Sequence, residues 1–270
     1  MQQLEGEIDM KAFTQQQLKC MAEACAAKIA QAPAGTEYFD EPYKHIVIDD
    51  FLDPALADLC LKHFPAPDDA CWEHANDTDI EIKLRTSWKS EFDIPENIVD
   101  AVRIFNAAPV LKAMGDRLDI PKLVPDPYFT GGGLNVTMPG GLLDVHVDGN
   151  YHDATGLNRR INAILYLNPE WHSEWGGEFG LYEPTGQECV KRVPPVFNRL
   201  VIFDSHDFSF HGLPEPLAFP PGTPRRSIIL YYYTLAQRPS QQIAVNQPHS
   251  ALWVKRNLHD KRGNKTRAFK

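Results

Sequence analysis

The sequence predicts an α+β protein in which helices come first and a β-rich sandwich or barrel follows. Apolar residues recur at helical spacing before residue 125, whereas short runs rich in β-branched and aromatic residues dominate from about Thr130. Glycine-rich turns separate these runs. We predict a single domain with three regions: a helical and mixed support region (1–125), a β core (126–236) and a polar, basic C-terminal tail (237–270).

The first half of the support region carries two helical patterns and one strand. Residues 14–32 place apolar side chains three or four positions apart, which predicts a helix. A short β-rich run follows at residues 45–48. Asp53 is then a good N-cap, and Pro54 suits the first turn of a helix that ends before Pro65.

The second half of the support region is less regular. Residues 96–118 predict further helix, with a break or kink expected at Pro109. Residues 67–92 mix charges with turn formers, and they support no assignment. In the β core, the composition predicts strands at three places: residues 161–167, 199–203 and 227–233.

Composition and charge limit the classes of protein to which the chain can belong. The chain has 270 residues and a net charge of −9, which argues against a nucleic-acid-binding body. Residues 253–270 carry a net charge of +6 and are expected to be a solvated end, with a contact to nucleic acid or an acidic partner as the alternative. No apolar stretch of transmembrane length and no secretory signal is present, and the five cysteines form no CxxC pair. We therefore expect a cytoplasmic protein that makes no membrane contact.

Two histidines and an aspartate have the pattern of a metal site. His146 and Asp148 are two residues apart, so a strand would present both on one face. His211 would complete two imidazoles and one carboxylate, a facial triad typical of non-heme Fe(II) oxygenases. His206 competes for the third position. We prefer His211 because the loop that follows leads directly to the strand that begins at Arg225.

An arginine and a serine beyond the metal motif have the pattern of a carboxylate site. Arg225 and Ser227 are again two residues apart, at the start of a strongly β-forming run. A guanidinium beside a hydroxyl suits a buried carboxylate. Arg226 has the opposite parity and is expected to be the exposed member.

These motifs resemble the Fe(II)/2-oxoglutarate-dependent oxygenases, in particular their prolyl 4-hydroxylase-like branch. The resemblance spans residues 135–234 and includes His146-Val147-Asp148, Gly176-Gly177-Glu178 and His211-Gly212, in the family's order. Two further stretches contribute to it, residues 164–168 and 198–203. The resemblance implies a double-stranded β-helix, a jelly-roll or cupin-like core backed by N-terminal helices.

The resemblance also implies a chemistry and a role for each residue. His146, Asp148 and His211 would bind Fe(II). Arg225 and Ser227 would bind the distal carboxylate of 2-oxoglutarate, with support from Tyr166, and Asn162 would line the same pocket. The cofactors would be Fe(II), 2-oxoglutarate and O₂, with ascorbate as a candidate reductant. The implied activity is hydroxylation of an unactivated C–H bond, with release of succinate and CO₂.

The substrate is marked less clearly than the cofactors. Several residues after the metal motif are candidates for the pocket rim, and three later ones for a lid, although ordinary turn and surface positions explain both groups better. The rim group is Asn150, Tyr151, His152, Arg159 and Arg160; the lid group is Trp171, His172 and Trp175.

Three substrate classes remain open: a small metabolite or amino acid, a sugar, and a prolyl or other peptide residue. We expect a small molecule, because the chain carries no evident peptide-binding appendage. Two other classes of protein compete with this interpretation. A non-catalytic jelly-roll ligand-binding module would need no triad, and a cupin metalloenzyme usually presents an HxH pair with a glutamate.

Overall fold

The computed structural model describes residues 13–77 and 80–254, and it contains one antiparallel sheet and a layer of helices. The α-helices of this part are α1 (Gln15–Gln31), α2 (Pro54–Lys62), α3 (Ile98–Phe105) and α4 (Ala108–Leu118). The strands before residue 150 are β1 (Tyr38–Phe39), β2 (His45–Ile48), β3 (Trp72–Asp77), β4 (Glu81–Thr86), β5 (Val124–Pro125), β6 (Gly133–Thr137) and β7 (Leu142–Val147). The later strands are β8 (Asn158–Tyr166), β9 (Phe179–Tyr182), β10 (Cys189–Val193), β11 (Leu200–Asp204), β12 (His211–Leu213), β13 (Arg225–Thr234) and β14 (Leu252–Trp253).

The predicted helix starts agree with the caps that the structure shows. The side chain of Thr14 accepts a hydrogen bond from the backbone of Gln17, whose own side chain bonds back to residue 14, forming a capping box at α1. The Asp53 carboxylate accepts from the Ala55 N–H at 3.0 Å, and Pro54 occupies the first turn of α2. The three predicted strands of the core are confirmed as β8, β11 and β13.

Two features of the support region differ from the sequence analysis. The break in residues 96–118 falls at residues 106–107, and Pro109 lies in the first turn of α4, where its missing N–H has no helical partner to lose. The unassigned residues 67–92 contain the antiparallel pair β3 and β4. β3 is an edge strand whose side chains are mostly exposed, so charged residues are suited to it. The same charges obscured the strand pattern in the sequence.

The sheet curls so that its central strands are covered on both faces. Its order is β1-β2-β11-β8-β13-β6-β4-β7-β12-β9-β10, and it forms the double-stranded β-helix that the sequence implied. On β8, Ile161, Ala163 and Leu165 join the large core that packs against the helices. The alternate residues Ile164 and Tyr166 join a second apolar cluster inside the curl. Strand pleating thus assigns odd and even positions to two different environments.

Strands from all three predicted regions enter this sheet. β2 pairs with β11, β4 lies between β6 and β7, and β14 pairs with β7. The three-region division itself stays a prediction. Residues 255–270, which hold the basic charges of the tail, lie outside the described residues, as does the acidic segment of residues 1–9. Within residues 13–77 and 80–254, no helix is long and apolar enough to cross a membrane.

Asn198 ties the turn before β11 to the segment that follows β2. Its side chain accepts from the Leu52 N–H at 2.9 Å and donates to the Leu52 carbonyl at 3.0 Å, while its own carbonyl accepts from Phe51. Its φ of +56° is a left-handed conformation that asparagine adopts more readily than most residues. One buried side chain therefore fixes a turn, a long-range contact and the entry into β11.

The substitution Asn198→Ala is expected to lower the free energy of unfolding by about 3 kcal/mol, because it leaves a buried N–H and C=O unpaired and strains the turn. Urea titration followed by circular dichroism measures this change. Asn76→Ala, on the exposed edge strand β3, is the matched control and should change stability by no more than about 0.5 kcal/mol. Equal stabilities for the two variants would contradict this account of the turn.

Candidate active site

The cross-strand register of β7 and β12 creates the predicted triad. His146 lies directly opposite His211 in this antiparallel pair, and their ring centroids are 4.4 Å apart. Asp148 follows the end of β7, and its Oδ1 lies 3.7 Å from Nε2 of His146 and 3.8 Å from Nε2 of His211. All three side chains are buried, and one ligand atom from each lies within 4.8 Å of the others.

Backbone carbonyls orient both imidazoles toward the centre of the triad. Nδ1 of His146 bonds to the Asp144 carbonyl at 2.8 Å, and Nδ1 of His211 bonds to the Ser209 carbonyl at 2.9 Å. Because a carbonyl only accepts, each Nδ1 carries the proton and each Nε2 presents its lone pair. Burial, reinforced by the neighbouring His146, lowers the pKa of His211 to about 4, so this ring is neutral at pH 7.

The third ligand is held in the charged form that a metal requires. Burial alone would raise the pKa of the Asp148 carboxyl, but His211, His146 and Arg159 outweigh it and hold the pKa well below its usual range. The Asn162 amide donates to Oδ2 of Asp148 at 3.1 Å, which leaves Oδ1 facing the histidines. Two imidazoles and one carboxylate, each fixed by an outer partner, fit Fe(II) and leave coordination positions open.

Arg225 is a buried cation that lies beside the triad without an acidic partner. The residue is 5% exposed, and Nε donates to the Gly177 carbonyl at 2.7 Å. No carboxylate among residues 13–77 and 80–254 forms an ion pair with it, and burial lowers its pKa. An unpaired buried charge is costly, so the cavity is suited to an anion that arrives from outside.

Further polar groups surround the same guanidinium. The ring centroid of Tyr166 lies 4.9 Å from the guanidinium carbon of Arg225, and its buried hydroxyl has no hydrogen-bond partner. Ser227 is buried and lines the same inner cavity, as do Asn162 and the triad. Since buried polar atoms are normally paired, the orphan hydroxyl and the unpaired guanidinium together fit one carboxylate of 2-oxoglutarate.

The structure thus brings all seven predicted site residues around one inner cavity: His146, Asp148, Asn162, Tyr166, His211, Arg225 and Ser227. Their individual roles stay predictions. His206, the competing ligand, lies outside the triad, where its ring contacts Tyr43 at a centroid distance of 5.8 Å. Sequence reasoning missed Asn135 and Thr137, which also line the cavity. Their two-residue spacing on β6 was the available signal.

An outer cavity connects the inner one to solvent. The two share five residues, namely Lys83, Leu143, His146, Asp148 and Tyr231. Arg159 lines the outer cavity with its guanidinium carbon 4.1 Å from the Tyr231 ring centroid, and its buried Nε has no partner. Tyr151 and His152 also line this cavity, although the His152 side chain is buried and bonds to Asp126 at 3.0 Å.

The other candidates for substrate contact have structural roles in the described chain. Arg160 forms a buried ion pair with Asp204 at 3.3 Å. Trp175 packs against Phe219 in a separate apolar cluster that also contains Trp171, and neither tryptophan lines the two cavities. The two tryptophan rings are therefore used in packing, and the lid stays the less favoured of the two interpretations.

Comparisons with known proteins agree with this geometry. The sequence profile of the 2OG-Fe(II) oxygenase superfamily matches residues 132–233, which include all seven site residues. Residues 132–233 therefore have the sequence pattern of a 2OG-Fe(II) oxygenase. The chain is 37% identical over 86 residues to the prolyl 3-hydroxylase OGFOD1 of Mus musculus, and 35% identical over 106 residues to that of Xenopus laevis. These alignments cover 30% and 36% of this oxygenase, but only 15% and 20% of the relatives' own length.

Solved structures show the same fold. A prolyl hydroxylase from Trichoplax adhaerens, in complex with a hypoxia inducible factor peptide fragment, superposes with a TM-score of 0.55 at 17% identity, covering 83% of this oxygenase and 94% of that chain. A Pseudomonas putida prolyl-4-hydroxylase gives 0.51 at 17% identity, covering 80% and 100%.

These findings confirm several predictions and correct one. The family, the prolyl hydroxylase-like branch, the dioxygenase class and the cofactors Fe(II), 2-oxoglutarate and O₂ are confirmed. Because the chain is a 2-oxoglutarate-dependent dioxygenase, both competing classes are excluded, namely the non-catalytic ligand-binding module and the cupin metalloenzyme. The preference for a small-molecule partner is wrong, because the curated relatives are prolyl hydroxylases.

The substitution Asp148→Ala is expected to weaken binding of Mn(II), a stand-in for Fe(II), by at least about 100-fold, since loss of an outer-shell partner alone typically costs about 10–100-fold. Equilibrium dialysis of the metal measures this. Asp153→Ala, which removes an exposed carboxylate of the outer cavity, should leave metal affinity unchanged. Full affinity in Asp148→Ala would exclude Asp148 as a ligand.

Arg225→Ala is expected to weaken 2-oxoglutarate binding by at least about 100-fold, because one partner of a buried charge pair is lost. Calorimetric titration of the Mn(II)-loaded protein without oxygen gives the affinity. The neighbour Arg226, half-buried and on the opposite face, provides the control Arg226→Ala. If the two variants bind 2-oxoglutarate equally well, the carboxylate lies elsewhere.

Proposed function

We propose that this oxygenase is an Fe(II)- and 2-oxoglutarate-dependent hydroxylase of a proline residue within a peptide or protein. One observation carries the cofactor part of the proposal. A buried arginine without an acidic partner and an orphan tyrosine hydroxyl share a cavity with a pre-oriented His-Asp-His triad. The proline part is supported by 35–37% identity to two prolyl 3-hydroxylases, over about a third of this chain.

His146, Asp148 and His211 would hold Fe(II) through Nε2, Oδ1 and Nε2. With the metal bound, O₂ and 2-oxoglutarate react to give succinate and CO₂, one oxygen atom entering succinate and the other the C–H bond of the substrate. Arg225, Ser227 and Tyr166 would bind the distal carboxylate and so orient the co-substrate at the metal. The apolar rings of Phe179 and Phe203, which contact His211 at centroid distances of 5.4 and 4.8 Å, limit water beside the site.

The outer cavity suits a polypeptide that enters from solvent. It extends from the triad to the exposed residues Tyr151 and Ser250, so a chain could lie across it while one side chain reaches the inner cavity. The Arg159 guanidinium, stacked on Tyr231 in the wall of this cavity, would donate to a carbonyl of the peptide backbone. Glu81, Lys83 and Arg85 line the same cavity and would offer further polar contacts.

The test is succinate release by the purified protein with Fe(II), 2-oxoglutarate, ascorbate and air. We expect slow release alone and acceleration by members of a proline-containing peptide library, with one oxygen atom added to the peptide by mass spectrometry. Chelator and Asp148→Ala should stop both signals. Acceleration by free metabolites alone would contradict a peptidyl substrate, and no succinate from iron-loaded protein would contradict the activity.

A further inference from the structure

The outer cavity has a second wall that comes from the C-terminal end of the described chain. Residues 240–254, which we name the strap, fold back across the sheet and end in β14, beside the metal-bearing strand β7. Four strap residues line the cavity: His249, Ser250, Ala251 and Trp253. The face of β4 that carries Lys83 lines it as well. A substrate that reaches the triad through this cavity therefore has the strap in its wall.

Specific hydrogen bonds anchor the strap. The Asn150 amide donates to the Gln247 carbonyl at 3.1 Å and accepts from the His249 N–H at 2.9 Å, and the Asn150 N–H donates to the His249 carbonyl at 3.1 Å. Here a side chain at Gly149 would bring its Cβ within 2.9 Å of the His249 carbonyl. The strap is thus fastened to the loop that follows Asp148.

A second anchor lies at Asp207, which is buried. Its Oδ2 accepts from the backbone N–H groups of Ala244 and Val245 at 2.8 and 3.0 Å. Its Oδ1 accepts from Arg238 at 3.0 Å and bonds to Nε2 of His249 at 3.2 Å. A buried carboxylate that is satisfied on both oxygens holds the strap in one position.

The end of the strap packs against the sheet. The Val254 N–H donates to the Val145 carbonyl at 3.0 Å, and the Val254 side chain joins an apolar cluster that contains Val145, Val147, Tyr182 and Phe210. This pairing also covers part of the open edge of β7. Protection of this edge explains why a short strand lies here, but it does not explain which side chain that strand presents to the outer cavity.

The residue that β14 presents to the outer cavity is Trp253. Its ring lies 4.6 Å from the ring of His146 between centroids, and the side chain is only partly buried and lines the outer cavity. A partly exposed indole on a firmly anchored strand, next to a metal ligand, offers apolar surface with little conformational freedom to lose on binding. Such tryptophans carry a large share of the affinity at many interfaces.

We propose that Trp253 is a specificity-determining residue, whose indole packs against the substrate residue next to the proline delivered to the inner cavity. The strap positions Trp253, and Asn150 acts only through the strap. This inference rests on the proposed prolyl hydroxylase function and adds to it: a flat or apolar neighbour of the proline is favoured over a charged one.

The experiment uses the full chain, loaded with Mn(II) and 2-oxoglutarate without oxygen, and a pool of fluorescein-labelled short peptides with one central proline and varied neighbours. Fluorescence anisotropy gives peptide affinity, and equilibrium dialysis gives Mn(II) affinity. Trp253→Ala should weaken the best peptide by at least about tenfold and reduce the preference for apolar neighbours, while Trp253→Phe retains most of both. Asn150→Ala, which retains Trp253 but removes two hydrogen bonds that anchor the strap, should weaken binding of the same peptide.

Kinetics in air and a control complete the test. Trp253→Ala should raise the peptide KM at least about tenfold with no more than about a threefold fall in kcat. Phe92→Ala removes an exposed aromatic that lines neither cavity and should change nothing. Unchanged peptide affinity in Trp253→Ala, or a loss that follows a loss of Mn(II) affinity, would overturn the role of Trp253 alone. If the wild type releases succinate but binds no peptide of the pool, the prolyl substrate is overturned, and this proposal with it.

Discussion

The two-residue alternation of β8 and β13 is the constraint on which the rest of the structure depends. Both strands are covered on both sides, so each successive side chain must suit a different environment. On β13, Arg225 and Ser227 face the inner cavity, while Ile228, Leu230 and Tyr232 pack toward the helices. A slip of one residue would place a guanidinium in the helical core and apolar side chains at the cofactor site. The packing of the apolar side chains therefore fixes which side chains face the inner cavity.

Much of the site could be predicted because its signals are local. His146 and Asp148 lie on one short segment, Arg225 and Ser227 on another, and the parity of a strand is readable from spacing alone. The choice of His211 over His206 could also be predicted, because the loop that follows His211 leads directly into the strand that begins at Arg225. What spacing could not supply is the register that sets His211 opposite His146, because that pairing depends on contacts between distant segments.

The parts that could not be predicted are those in which tertiary context overrides local preference. The β3–β4 pair reads as charged loop because its side chains meet solvent and each other, as Glu73 and Arg85 do. Trp171 and Trp175 resemble a lid in the sequence, yet a neighbouring apolar cluster accommodates them. The strap mixes polar and apolar residues, and its order comes from a buried carboxylate at Asp207 that no local pattern connects to it.

The placement of the three triad residues has a thermodynamic consequence. His146 and His211 are neighbours only while β7 and β12 are paired, so the unfolded chain has no comparable site. Any metal that binds the triad then stabilises the folded state alone, and the apparent stability depends on its free concentration. Each tenfold excess of free metal over its dissociation constant adds about 1.4 kcal/mol to the free energy of unfolding. Metal binding and the stability of the fold are therefore coupled through the register of two short strands.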